Sequence, residues 1–366
     1  MGIFEKLAVK DHEQVIFCHD EAAGLKVIIA IHNTTLGPAI GGTRMWNFAS
    51  EEDALEDVLR LSRGMTYKSA AAGLNLGGGK AVIIGDPKKD KTEALFRSFG
   101  RFVEGLGGRY ITAEDVGTSV ADMELVRMET SNVTGIGRAL GGSGDPSPVT
   151  ALGVYEGMKA SVKRLLGKDS LEGLTVAVQG VGHVGYHLCQ HLHREGARMV
   201  VCDVDAKALR RVGEDFEVQV VGPQDIYAVP CDIFAPCALG GVINDETFPR
   251  LRCRIIAGAA NNQLKDEEVH AQALAKRNIL FAPDYVINAG GLINVANELE
   301  GYNRERAVQQ AAGIHDIIMR VFELAEKERV TTVQAANTLA ERRIEQIGRI
   351  KNYYTPTTAT MRSRGH

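Results

Sequence analysis

Residues 174–185, LTVAVQGVGHVG, run an apolar strand straight into Gly180-Val181-Gly182-His183-Val184-Gly185. No other stretch restricts the fold of this chain so strongly. In a G-x-G-x-x-G turn the first glycine permits the tight bend and the second lets a pyrophosphate approach the backbone. The third lets the following helix pack close to the strand. A helix opening here offers free amides and a partial positive charge to phosphates. Out of this context the same glycines are an unliganded turn. A second strand, Arg198 to Cys202, ends at Asp203, eighteen residues beyond Gly185, where an acidic side chain accepts hydrogen bonds from an adenosine ribose. Asp205 adds negative charge and no basic residue stands at that strand tip. A 2′-phosphate would be repelled, so the expected dinucleotide is NAD rather than NADP.

The alternation continues around this turn. His183 to Glu195 and Ala206 to Val212 read as helices. Glu217 to Val221, Ile233 to Ala235 and Arg254 to Ala257 read as strands. Repeated strand–helix units predict a doubly wound parallel sheet. After Gly290 the pattern is helical to about Gly348. The earlier part mixes strand and helix. Leu25 to Ile31, Ala81 to Ile84 and Tyr110 to Thr112 read as strands. A helix opens at Ser50 with Asp53 in capping position, and a second carries Leu95, Phe99, Phe102, Val103 and Leu106 up to Gly107-Gly108. Between the two parts, residues 134–148 (TGIGRALGGSGDPSP) lose all hydrophobic period and read as a linker or hinge. A length of 366 residues, at about 150 per domain, also predicts two domains, 1–140 and 141–330. The last helices, about 330–366, complete the chain.

Lys plus Arg number 42 against 46 Asp plus Glu. This faint acidity, without a basic run, excludes a nucleic-acid binder that works through clustered phosphate contacts. No stretch approaches the roughly 18 apolar residues of a membrane span. The N-terminus has no signal-peptide apolar region, and Lys6 breaks a myristoylation motif. Cysteines 18, 189, 202, 231, 237 and 253 include no Cys-x-x-Cys pair and read as small buried hydrophobes. A cytoplasmic enzyme is the expectation.

The chemistry points to Lys68 and Lys80, which bracket KSAAAGLNLGGGK. This is not a phosphate-binding P-loop: Leu74 and Ala81 stand where such a loop needs Gly and Ser or Thr. Three glycines ahead of Lys80 are expected to clear side chains from around its ammonium. Burial and a neighbouring cation lower a lysine pKa and make it usable as a base. His183, His187 and His191 share one face of a helix, but no carboxylate or cysteine completes a metal site, so no metal is expected.

GPAIGGTR at 37–44, the Lys68–Lys80 stretch, AEDVGT at 113–118, SGDPSPVTA at 143–151 and NAGGLINVANE at 288–298 occur in this order. Together they resemble the amino acid dehydrogenases, the superfamily acting on glutamate, leucine, valine and phenylalanine. The resemblance spans nearly the whole chain. It implies an α/β fold: an N-terminal substrate and oligomerisation domain, a cleft, a Rossmann domain, and C-terminal helices packing back on the first domain. It implies reversible NAD-dependent oxidative deamination of an L-amino acid to a 2-oxo acid and ammonia, by a homo-oligomer, an octamer.

By the same resemblance Lys80 activates the water that attacks the imine, Asp115 exchanges protons with the amino group, and Lys68 pairs with the α-carboxylate. Gly41 and Gly42 border that carboxylate. Thr150 lies near the nicotinamide. Asn261, Asn262 and Asn288 surround the substrate and the nicotinamide ribose. Ile40, Ala113, Leu292 and Val295 match the side-chain pocket. Ile40 stands where glutamate-directed members carry a lysine, and an apolar pocket rejects a carboxylate it cannot pair. Leucine, valine and isoleucine are therefore the expected substrates, since such pockets separate one methylene by only about 1–3 kcal/mol. A valine- or phenylalanine-directed member is the alternative. A 2-hydroxy acid dehydrogenase, which pairs His with a carboxylate and uses Arg, fits the two lysines poorly. A silent NAD-binding regulator would not need Lys80 and Asp115.

Overall fold

The computed structural model describes residues 3–350, arranged around two sheets. The chain opens with α1 (Ile3–Lys10), β1 (Gln14–Asp20), β2 (Leu25–Asn33), β3 (Ala39–Ile40) and β4 (Thr43–Trp46). It continues through α2 (Glu51–Ala71), β5 (Gly77–Ile84), α3 (Glu93–Glu104), β6 (Tyr110–Ile111) and α4 (Val120–Arg127). The first sheet runs β1-β2-β5-β3-β6, with β4 also paired to β5. β2 is apolar on both faces because both are covered. Val27, Ile29 and Ile31 meet Leu95, Phe96, Phe99 and Met123. On the other face Ile28 and Ala30 meet Ala54, Leu55, Val58 and Leu59 of α2.

Helix α2 starts where Ser50 accepts a hydrogen bond from the Asp53 amide, as its sequence predicts. Helix α3 stops at Gly105, ahead of the expected Gly107-Gly108. A larger correction concerns Gly77-Gly78-Gly79. They belong to β5, which the sequence pattern begins only at Ala81. A Cβ on Gly78 would lie 2.1 Å from the Thr66 amide nitrogen, and one on Gly79 would lie 2.7 Å from the Tyr110 ring. The glycines let α2 and Tyr110 lie directly on the strand; they do not serve to clear the Lys80 ammonium.

The second sheet follows α5 (Ser147–Leu166). Its elements are β7 (Thr175–Gln179), α6 (His183–Glu195), β8 (Arg198–Cys202), α7 (Ala206–Asp215), β9 (Val218–Val220), β10 (Ile233–Pro236), β11 (Ile255–Ile256), α8 (Glu267–Lys276) and β12 (Leu280–Phe281). All strands are parallel, in the order β12-β11-β10-β7-β8-β9. The chain thus winds outward in both directions from β7, the doubly wound arrangement, with its switch point between β7 and β10. Helices α9 (Asp284–Ile287), α10 (Gly290–Ala296), α11 (Arg304–Ala312), α12 (Ile314–Glu328) and α13 (Thr332–Gly348) complete the described chain. Residues 351–366 of the expected terminal helices lie outside the described residues, as do Met1 and Gly2 of the N-terminal reading.

Helix α13 returns to the first sheet. Arg343 donates to the carbonyls of Ala70, Gly73 and Leu74 at the C-terminal end of α2 (3.1, 3.2 and 2.6 Å), where a cation complements the helix dipole. Tyr67 donates to Glu341 at 2.8 Å. The glycine-rich 134–148 stretch is not a loose tether. Ile136 and Ser143 are buried, and the Glu298 carboxylate, just past α10, accepts from the amides of Gly135 (3.0 Å) and Ser143 (2.8 Å). None of the described helices is long and apolar enough to cross a membrane.

Candidate active site

Parallel pairing of β4 with β5 sets Thr43 opposite Ala81 and Arg44 opposite Val82. Side chains alternate along a strand and paired residues share a face. Lys80 and Arg44 therefore rise on the same side of the sheet, the side covered by α2. Asp115 enters from the turn after β6. Its amide donates to Thr118 Oγ1 at 2.9 Å, and Thr118 donates to the Thr43 carbonyl at 2.8 Å, which fixes the turn. Gly42 allows the approach: a Cβ there would lie 2.3 Å from the Glu114 carbonyl oxygen and 3.0 Å from the Asp115 Cβ.

The result is a chain of charges. Lys80 Nζ lies 2.9 Å from Asp115 Oδ2, and Arg44 Nε lies 3.0 Å from the same oxygen. Arg44 also donates to Asp57 on α2 at 2.8 Å, and Asp57 accepts from Arg60 at 2.9 Å. Burial alone would raise the Asp115 pKa, but the Lys80 and Arg44 cations outweigh it and hold the carboxyl below its ordinary value.

Lys68, one turn from the end of α2, donates to Asn288 Oδ1 at 2.6 Å. Asn288 is locked by its own amide, which donates to the Ala259 carbonyl (3.0 Å) and to Asn261 Oδ1 (2.6 Å). Burial, aided by the Lys80 cation and opposed by the Asp284 and Asp115 carboxylates, pushes the Lys68 pKa down to about 8. Desolvation raises the pKa of the half-buried Asp284, against the opposing bonds it accepts from the Gln263 and Tyr285 amides.

These groups line one cleft of about 550 Å³. It brings together Ile40, Gly41, Gly42, Lys68, Lys80, Ala113, Asp115, Asn261, Asn262, Leu292 and Val295. Ile40 and Leu292 pack in one apolar cluster, with Val295 and Met65 against it. Asn288 stands behind Lys68 rather than on the cleft surface. Asn261 and Asn262 are exposed, and Asn262 adopts a left-handed backbone (φ 51°).

The dinucleotide residues sit elsewhere, at the switch point. Gly180 (φ 98°) turns beside Ala238, and a Cβ on Gly185 would lie 2.0 Å from the Gly180 carbonyl oxygen. Gly182 is exposed, and an added Cβ there meets nothing within 4 Å, leaving open space at the start of α6. His183 is exposed, Val184 half-buried and Val181 buried. Asp203 accepts from the Val181 amide at 2.7 Å and from the Asp205 amide at 2.9 Å, so it braces the glycine turn as well as ending β8. A glycine cradle, a helix N-terminus and an acidic strand tip fit a dinucleotide. Thr150 lies in the first turn of α5 and bonds the Pro146 carbonyl at 3.0 Å. It faces Gly291, a residue of the cleft, where an added Cβ would come within 2.7 Å of its Oγ1.

Nothing in the sequence pattern marks Asp57, Met65 or Glu298 as site residues. Arg44 closes the GPAIGGTR run, and only the strand register shows what it faces.

Residues 12–132 match the family described as Glu/Leu/Phe/Val dehydrogenase, dimerisation domain. Residues 141–209 and 201–350 match Glutamate/Leucine/Phenylalanine/Valine dehydrogenase. The leucine dehydrogenase of Geobacillus stearothermophilus is 60% identical over 352 residues, 96% of each chain. That of Thermoactinomyces intermedius is 59% identical over 97% of this chain and 96% of its own. The crystal structure of L-tryptophan dehydrogenase from Nostoc punctiforme superposes with a TM-score of 0.84 at 49% identity, over 95% of this chain and 100% of that one. The fold, the cleft and these likenesses agree: the protein is an amino acid dehydrogenase using a nicotinamide cofactor, and it belongs to the glutamate/leucine/phenylalanine/valine dehydrogenase family.

Proposed function

We propose that this chain catalyses the reversible oxidative deamination of L-leucine and other branched-chain L-amino acids. The amino acid, NAD⁺ and water give the 2-oxo acid, ammonium, NADH and a proton. NAD supplies the hydride acceptor, so the protein's tasks are orientation, proton transfer and exclusion of water. The Lys68 ammonium holds the α-carboxylate beside the Gly41–Gly42 backbone. Asp115 takes a proton from the α-amino group and Lys80 activates the hydrolytic water. Asn288 aims Lys68, and the exposed Asn261 and Asn262 are placed to reach substrate or the nicotinamide ribose. Gly180, Gly182 and the amides of His183 and Val184 receive the pyrophosphate, Gly185 lets α6 pack close behind them, Asp203 takes the adenosine ribose and Thr150 lies by the nicotinamide.

The observation that carries this reading is the shared cleft: two lysines and one carboxylate for the zwitterion, over an apolar floor of Ile40, Leu292 and Val295. The leucine dehydrogenases named above support leucine as substrate. In this reading residues 1–140 with the returning α13 form the substrate lobe and 141–330 the NAD lobe. The protein works in the cytoplasm as a homo-oligomer, an octamer. The test is absorbance at 340 nm: L-leucine with NAD should give NADH and ammonium in equal amounts. No leucine-dependent NADH would end the proposal.

A further inference from the structure

We propose that Arg44, braced by Asp57, is a positioning residue for the Asp115 carboxylate. The inference rests on the deamination reading above, in which Asp115 handles the amino-group proton.

Asp115 Oδ2 carries both of the side-chain bonds that the carboxylate makes to described residues, from Lys80 at 2.9 Å and Arg44 at 3.0 Å. Asp115 lines the cleft, and in this proposal Oδ1 is the oxygen left to the substrate amino group. A carboxylate held by one cation turns freely about its terminal bond. Held at one oxygen by two donors from different strands, it has a defined free oxygen. Arg44 does this with a fork that lysine lacks. Its Nε goes to Asp115 and its outer nitrogen to Asp57 at 2.8 Å. Asp57 stands on α2, and its second oxygen takes Arg60. Arg44 is thus clamped between the catalytic turn and the helix that carries Lys68. Its side chain is 22% exposed and that of Asp57 16%, so water competes little for either bond.

A second consequence concerns Lys80. With Arg44 in place, Asp115 is shared between two cations, and the Lys80 ammonium does not have the carboxylate to itself. The network also ties the aim of Asp115 to α2, which delivers the carboxylate-binding lysine. The proton acceptor and the carboxylate anchor are therefore set by one rigid element.

The test is steady-state leucine oxidation by the full-length enzyme, with Arg44→Gln, Arg44→Lys, Asp57→Asn and the Arg44→Gln/Asp57→Asn double variant, alongside NADH affinity and thermal melting. A misaimed carboxylate slows chemistry without weakening substrate binding. Arg44→Gln should lose about 10²-fold in kcat, with KM for leucine within about threefold, because small misplacements of a reacting group cost that much. Arg44→Lys should recover only part of the loss. Asp57→Asn should lose about tenfold in kcat, and the double variant should match Arg44→Gln, because Asp57 acts only through Arg44. If Arg44→Gln fails to fold, Asp57→Asn and Arg44→Lys carry the kcat–KM comparison alone. Wild-type kcat in Arg44→Gln, a loss confined to KM, or fully multiplying losses in the double variant would overturn the proposal. Wild-type turnover of leucine in the same assay checks the deamination reading separately: if wild type is active and the variants are not slowed, only the role of Arg44 falls.

Discussion

The Lys80 ammonium lies 2.9 Å from Asp115 Oδ2, and Lys80 is only 5% exposed, so a largely buried ion pair lines the cleft proposed to hold substrate. Removing one member of such a pair normally strands a buried charge. Here it does not, because Asp115 keeps its bond to Arg44.

That pairing makes Lys80 testable without loss of the fold. Lys80→Ala should lower kcat by at least about 10²-fold while NADH affinity, read by fluorescence titration, stays within about threefold. A variant that keeps most of its turnover would remove Lys80 from the mechanism.

Lys68 carries a prediction in pH. Its pKa is pushed down to about 8, chiefly by burial. A bound carboxylate favours the charged form and raises it again. Ligand binding near pH 8.5 must then take up protons. Calorimetry of 4-methylpentanoate, which has no amino group, binding to the NADH complex in buffers of different ionisation enthalpy should show that uptake, and affinity should fall as pH rises through 8. The sign for stability follows from the same depression. The folded state binds fewer protons than the unfolded chain between about 8 and the ordinary lysine value of 10.5, so this group's contribution to stability rises with pH across that window. Proton-neutral binding would contradict the assignment of Lys68 to the carboxylate.

Asp203, proposed to bind the adenosine ribose, also accepts from the Val181 amide at 2.7 Å. Asp203→Ser should weaken NAD binding and reduce the preference over NADP, because an acceptor and a repulsive charge go together. Titration calorimetry with both cofactors reads this. An unchanged preference would mean that Asp203 does not select the ribose.

What the sequence makes legible, and what it hides, follows from the range of each interaction. The glycine turn, β7, β8 and Asp203 are local: strand, turn and helix follow one another and each residue type has a local reason. The two lysines are conspicuous for a similar reason. β1 was not legible because QVIFCHD is an edge strand with only Cys18 buried, so its pattern resembles a loop. β12 is two residues long. Gly77–Gly79 were misread because what they accommodate, Thr66 and Tyr110, lies elsewhere in the chain. Arg44 reads as a surface charge until β4 pairs with β5. The 134–148 stretch reads as a tether because its anchor, Glu298, lies more than 150 residues downstream.

Glu298 gives that stretch a mechanical role. It ties residues 135–143 to the end of α10, the helix that brings Leu292 to the cleft. Substrate-induced closure around this strap is expected to expel water before hydride transfer. Solution scattering should show a smaller radius of gyration with NADH and 4-methylpentanoate than without, and Glu298→Gln should blunt the change. An identical radius in all states would count against closure.

In the proposed mechanism two lysines and Asp115 treat all amino acids alike, and Ile40, Ala113, Leu292 and Val295 choose among them. The most direct test is kcat/KM for leucine, valine, isoleucine and glutamate in one assay, for wild type and Ile40→Lys. The three branched substrates should fall within about two orders of magnitude, at roughly 1.4 kcal/mol per tenfold. Glutamate should be nearly inert with the wild type, because its second carboxylate would be buried unpaired, and Ile40→Lys should shift activity towards it at the expense of leucine. Wild-type activity on glutamate comparable to that on leucine would contradict the account.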